Sequence, residues 1–165
     1  VAETAPTQAD AGWLAAAIDL SRQCPPSPSA FSVGAILVAA DGTVIATGYS
    51  RECDGRDHAE EVTLARAAAA PADGGPSPAQ AAGGLAAATM YSSLEPCRSR
   101  LSRPRSCSEL IVAAGVRRVV LAWLEPPLFV PGGGARWLRE QGVIVAQIPE
   151  LGQRARAVNA HLLRG

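Results

Sequence analysis

Apolar residues along the 165-residue chain recur in blocks whose spacing switches between helix-like and strand-like. Trp13, Leu14, Ala17, Ile18 and Leu20 return at steps of three and four, which predicts an amphipathic helix over residues 11–23. Pro25, Pro26 and Pro28 bar its continuation. Residues 33–40 and 43–49 are apolar, β-branched runs separated by Asp41-Gly42, a strong signal for a tight hairpin. Residues 58–70 are rich in good helix formers and stop before Pro71. A Gly, Pro, Ser and Ala-rich stretch, 71–84, then predicts a surface loop. Beyond it the pattern reads strand (88–94), helix (108–114, closed by Gly115), strand (116–124), a Pro/Gly-rich turn (125–134), helix (135–141) and strand (143–148). A last helix carries Leu151, Ala155, Val158 and Leu162 on one face.

A hairpin followed by alternating strands and helices implies a mixed central sheet with helices on both sides, a three-layer α/β/α sandwich. Residues 1–10 lack periodicity and are expected to form a loose lead, leaving 11–165 as one domain. No apolar run approaches the roughly 20 residues of a membrane span, and no basic residue precedes Arg22. The expectation is a cytoplasmic protein.

Charge narrows the chemistry. Fifteen basic residues balance fifteen acidic ones, so no whole-molecule field draws the chain to nucleic acid or to an anionic membrane. Aromatics make up only 4% of positions, which further disfavours single-stranded nucleic acid. There is no Lys anywhere, which excludes a Schiff-base lysine and a P-loop. The sole Asn is Asn159.

Three groups remain that could carry chemistry: His58-Ala59-Glu60 opening a helix, Pro96-Cys97 after a strand, and Cys107 ten positions on. One imidazole and two thiolates suit a borderline-soft Zn²⁺, and three protein ligands leave its fourth position open. His58 and Cys97 are each expected at or near a helix start, where N–H groups favour a thiolate. Glu60, two residues beyond His58, is placed to handle protons rather than to ligate. The spacing H-x-E followed by P-C matches the zinc deaminase signature, although the second cysteine lies ten residues on instead of three.

Other readings of the same residues stay open. Four Cys could form two disulfides, or Cys24 or Cys53 could close a structural Cys₃His site and leave Glu60 a solvated helix residue. Arg98, Arg100, Arg103 and Arg105, between the two candidate ligands, suit either a phosphate or a solvated loop.

Leu94-Glu95-Pro96-Cys97, the long insert, Cys107, residues 111–115 and Val116-Arg117-Arg118-Val119-Val120 together resemble the pyrimidine deaminase domain of riboflavin biosynthesis, within the zinc-dependent cytidine and deoxycytidylate deaminase superfamily. The resemblance spans about Trp13 to Leu163. It implies an α/β/α sandwich, zinc on His58, Cys97 and Cys107, Glu60 as proton shuttle, a small aminopyrimidine as substrate, and a homodimer or homotetramer. The substrate implied is a diaminopyrimidinone carrying a ribosylamino phosphate; a cytidine-type nucleoside or a specialised metabolite is the alternative. A non-catalytic, zinc-stabilised binding protein is the reading from a different class. Where the riboflavin family has Pro-Asn-Pro, this chain has Pro28-Ser29-Ala30-Phe31-Ser32, and Ser50 stands where related nucleotide deaminases carry Asn. Phe31 and Ser50 are therefore the expected substrate contacts, with main-chain groups around Ala59 and from Ser93 to Glu95 reading the ring edge.

Overall fold

A computed structural model describes residues 5–164. In chain order its elements are α1 (Gln8–Ser21), β1 (Gly34–Val38), β2 (Val44–Tyr49), α2 (Ala59–Ala68), α3 (Pro78–Ala81) and β3 (Thr89–Ser92). They continue with α4 (Cys107–Ala113), β4 (Arg118–Leu121), α5 (Gly134–Glu140), β5 (Ile144–Gln147) and α6 (Gly152–Val158). The five strands form one sheet in the order β2-β1-β3-β4-β5. β1 is antiparallel to both β2 and β3, whereas β3, β4 and β5 run parallel, so the sheet is mixed as expected.

Both faces are covered. α1 packs on β1 and β3 beside α6, while α2 lies over β2 and β1 and touches α4, which in turn meets α5. The alternation of side chains along a strand shows why two glycines are needed. A Cβ on Gly34 would overlap the Ala17 carbonyl of α1; one on Gly48, which pairs with the next residue, Ala35, would lie 2.8 Å from the Ala59 carbonyl of α2. Each glycine lets a helix backbone approach the sheet from its own side. The core between the layers contains Leu14, Ile18, Leu37, Met90, Val119, Val120 and Val145, all buried.

The structure corrects three expectations. The loose lead is shorter than residues 1–10: helix α1 begins at Gln8, capped by Thr7 and Asp10, and residues 1–4 lie outside the described residues. Asp10 is buried because its carboxylate takes both Nη groups of Arg118, at 2.7 and 2.9 Å, and the Tyr91 hydroxyl at 2.7 Å. No local periodicity encodes that pairing. Second, the loop 71–84 contains α3, started by a reciprocal Ser77–Gln80 cap with Pro78 in its first turn and too short to show a period. Third, the last helix is α6 alone, flanked by 3₁₀ turns Pro149–Leu151 and Ala160–Leu162. The Asn159 side chain donates to the Ala155 carbonyl at 3.1 Å, a side-chain competitor for the helix's backbone. Among the described residues no helix is long and apolar enough to cross a membrane.

Candidate metal centre and cavity

Topology decides where the site lies. The parallel strands β3 and β4 and the antiparallel β2 all end, and β1 begins, along one edge of the sheet, and ligands of α/β folds gather beyond the carboxyl ends of parallel strands. The 93–106 segment leaves β3 there, and the start of α2 faces it.

Three side chains converge at that edge. His58 is the residue immediately before α2, Cys107 opens α4, and Cys97 lies in the loop after β3. His58 Nδ1 stands 3.6 Å from Cys97 Sγ and 3.4 Å from Cys107 Sγ. Zn–S and Zn–N bonds at tetrahedral angles imply an S···N edge of about 3.6 Å, so the donor set fits zinc in both ligand type and spacing. Cys97 does not start a helix, contrary to expectation, because Pro96 and the inter-cysteine segment run on as loop. Its sulfur nevertheless accepts the Cys107 N–H at 3.3 Å, so it faces the start of α4. The hydrogen bond from the Cys107 thiol holds Cys97 well below the ordinary thiol range, and the same contact pushes Cys107 up. All four cysteines are free, and Cys24 and Cys53 stand outside this cluster. The donor set among the described residues is therefore three side chains, not a closed Cys₃His site.

Glu60 lies beside these donors, 3% exposed, with the Ser92 hydroxyl donating to its Oε1 at 2.9 Å. Burial raises its pKa, with a further push from Cys97 against the pull of His58 and Ser92. It lines a cavity of about 290 Å³, together with Phe31, Leu94, Phe129 and Val130 on the apolar side and His58, Cys97, Arg100 and Glu125 on the polar side. Phe31 meets Trp123 and Phe129 edge to face, with ring centres 5.5 and 5.1 Å apart.

The other expected contacts divide. Phe31 and Ser50 line the cavity, but the Ser50 hydroxyl is engaged by the Val33 main chain, accepting its N–H at 3.1 Å. Glu95 borders the cavity with its carboxylate turned away, accepting the N–H groups of Glu125 (2.8 Å) and Ala135 (2.7 Å) and so tying the β4 exit to α5. Ser93 hydrogen-bonds the main chain of Gly34 at 3.0 and 3.1 Å, and Ala59 is buried under β2; neither reaches the cavity. The four arginines diverge instead of forming one clamp. Arg98 stacks over Trp137 and pairs with Glu109, Arg105 donates to the Glu109 carbonyl, and Arg103 pairs with Asp57 at 3.1 Å and Glu61 at 3.4 Å. Only Arg100 faces the cavity, and it already donates to the Arg56 carbonyl (2.8 Å) and to Glu61 (3.0 Å). Acidic residues of the α2 start, distant in the chain, compete for these guanidiniums.

Glu125 was legible only as the residue at a strand exit. The structure aims it at the cavity, buries its Oε2 without a hydrogen-bond partner, and pushes its pKa up to about 8, chiefly by burial and then by repulsion from Cys97, Glu60 and Glu95. A carboxyl of this kind keeps its proton to a higher pH than an ordinary glutamate and, while protonated, can donate as well as accept.

Residues 7–123 match the cytidine and deoxycytidylate deaminase zinc-binding region. The diaminohydroxyphosphoribosylamino-pyrimidine deaminase of Schizosaccharomyces pombe is 38% identical over 136 residues, 82% of this chain and 31% of that protein. The riboflavin biosynthesis protein RibD of Aquifex aeolicus is 32% identical over 120 residues, 73% of this chain and 28% of its own length. The chain thus spans about a third of the length of these curated relatives. Among solved structures, RibD of Acinetobacter baumannii superposes with a TM-score of 0.75 at 27% identity, covering 94% of this chain and 39% of that one. The Rib2 deaminase of Aspergillus oryzae superposes with a TM-score of 0.73 at 28% identity over 93% of this chain and 98% of its own.

Proposed function

Since the chain belongs to the cytidine and deoxycytidylate deaminase family, whose cofactor is zinc, we propose that it hydrolyses the ring amino group of a pyrimidine to a carbonyl with release of ammonia. A diaminopyrimidinone ribosylamino phosphate is the substrate this reading favours, on the similarity to the riboflavin-pathway relatives. The observation that carries the reading is a buried Glu60 that shares a cavity with His58 and Cys97, two members of a three-donor set completed by Cys107.

His58, Cys97 and Cys107 would hold a zinc ion, which would supply Lewis acidity to the attacking water. Glu60 takes a proton from the water as its oxygen bonds to the amino-bearing carbon and passes that proton to the adjacent ring nitrogen; it then takes the remaining proton from the new hydroxyl and gives it to the amino group, so that the C–N bond breaks, the carbonyl forms and ammonia leaves. Its burial suits that duty, because a carboxylate with raised proton affinity holds the proton between transfers. Phe31 and Phe129 offer apolar surface to the ring, and the unpartnered Oε2 of Glu125 reads a polar edge of it. Arg56, exposed on the cavity wall, is the cationic side chain a phosphate would meet, since Arg100 is already engaged by Glu61 and the Arg56 carbonyl. A homodimer or homotetramer belongs to the same reading and is checked by light-scattering mass.

The test is ammonia release by the zinc-loaded chain across cytidine, deoxycytidine, their monophosphates, cytosine, guanine and the diaminopyrimidinone phosphate. Turnover of the last, well above the others, is the expected result. A chain that binds one zinc and releases ammonia from none of them overturns the proposal.

A further inference from the structure

Residues 25–33 form the wall that presents Phe31 to the cavity, yet they belong to no helix or strand until Gly34. Up to Ser32 their main-chain groups make no backbone ladder, the first such bond being that of the Ser50 N–H to the Val33 carbonyl, so side chains satisfy the groups before it. Two residues far apart in sequence do so.

Arg51 follows Ser50 at the exit of β2 and has φ +59°, a left-handed conformation that non-glycine residues seldom adopt. From there its guanidinium spans the segment. Nε and Nη2 donate to the Pro25 carbonyl at 3.1 and 2.8 Å, Nη1 donates to the Phe31 carbonyl at 2.9 Å, and Nη2 also donates to the Ser32 hydroxyl at 2.9 Å. Asn159, beyond α6, approaches the same place from the other side. Its Oδ1 accepts the Ser32 N–H at 2.7 Å and its Nδ2 donates to the Ser32 carbonyl at 3.0 Å, so one carboxamide pairs with both polar groups of one residue as a neighbouring strand would. It is the only Asn in the chain and is 2% exposed. The ring it anchors, Phe31, packs edge-on against Trp123 and Phe129.

We propose that Arg51 and Asn159 are positioning residues that clamp the 25–32 segment between them and thereby set the shape of the cavity wall at Phe31. Neither is assigned a step in the chemistry: Asn159 acts through Ser32 and Phe31, on ring binding, and Arg51, which itself borders the cavity, acts by holding the same segment. The function of the wall rests on the deaminase reading above; the clamp itself does not. A fork of donors is needed at position 51 because three acceptors on three residues are held at once, which an ammonium on a flexible stem cannot match.

The experiment compares wild type with Arg51→Lys, Arg51→Gln, Asn159→Asp and Asn159→Ser, each zinc-loaded. With the diaminopyrimidinone phosphate as substrate, the clamp predicts KM raised about tenfold with kcat held within about threefold, as misplacement of a binding wall weakens ground and transition states alike. Arg51→Lys is expected to fall between wild type and Arg51→Gln. A loss of fold alone would lower the active fraction, and so kcat, without moving KM; unchanged KM in all four active variants overturns the proposal. If wild type deaminates nothing, the function reading fails and the clamp is judged by amide exchange. Faster exchange of the Ser32 and Val33 N–H groups in the variants, with that of Met90 and Val119 unchanged, supports it, and unchanged protection at Ser32 refutes it.

Discussion

Glu60→Gln removes one titrating group while keeping the side chain's shape. The wild-type carboxylate is 3% exposed and accepts the Ser92 hydroxyl at 2.9 Å. A glutamine can accept the same bond through its own Oε1, so the cavity and the zinc donors keep their places. What is lost is proton transfer. Loss of one general acid–base group costs about 10²–10⁴-fold, equivalent to about 3–5 kcal/mol of barrier. In the proposed mechanism Glu60 serves both the attack of water and the departure of the amine, which places the expected fall in kcat near the upper end, about 10⁴-fold. Stability is expected to move the other way. Burial lifts the folded-state pKa of Glu60 above its unfolded value, so at neutral pH folding must hold a charge it disfavours. Metal-free Glu60→Gln should therefore melt at a higher temperature than metal-free wild type. The gap should close as pH falls below the ordinary carboxylate range, where glutamate is neutral in both states. Steady-state ammonia release, zinc content and melting in chelator measure the three quantities. A variant that carries one zinc per chain and turns over within threefold of wild type would refute the proton-shuttle assignment.

Other substitutions probe the supports of the site. The Arg100 side chain is 2% exposed, joins Glu61 to the Arg56 carbonyl and stands 4.0 Å from Cys107 Sγ, so Arg100→Gln should weaken zinc binding about 10- to 100-fold in chelator competition, with Arg100→Lys recovering part. Equal affinities would show that this guanidinium only fills space. For Asp10, burial raises the pKa but the bonds from Arg118, Thr7 and Tyr91 outweigh it and hold the carboxyl well below its usual range. Its stabilisation is therefore present above the unfolded pKa near 4 and is lost as pH falls from there. Asp10→Asn should cost about 3 kcal/mol at pH 7, the low end for a broken buried pair because Arg118 keeps 21% side-chain exposure. In urea unfolding that difference should shrink below pH 4; a pH-independent difference would contradict the sign. A Cβ at Gly134 would overlap the Pro96 carbonyl and approach Ser108 Oγ to 2.9 Å. Gly134→Ala should push α5 off the turn that carries Cys97, destabilising the fold by about 1–3 kcal/mol and loosening zinc; an unaltered melting point would show the turn yields freely.

Local pattern was enough for much of this molecule. Helix and strand periods, the Asp41-Gly42 hairpin and the alternation after it determined a mixed sheet between helices, because each signal depends only on neighbours within a turn or a pleat. The convergence of His58, Cys97 and Cys107 was legible for the same reason: few side chains offer soft nitrogen and sulfur donors, and their offsets follow short elements. The fate of the charged and polar remainder was not local. Whether Arg103 meets a phosphate or Asp57, whether Glu95 reads a substrate or ties two loops, and whether Asp10 frays or locks onto Arg118 depends on which partner the folded chain brings within about 3 Å. Those partners lie 30 to 108 positions away. The orphaned oxygen of Glu125 and the carboxamide of Asn159 belong to that second kind, since burial and pairing are properties of a three-dimensional neighbourhood.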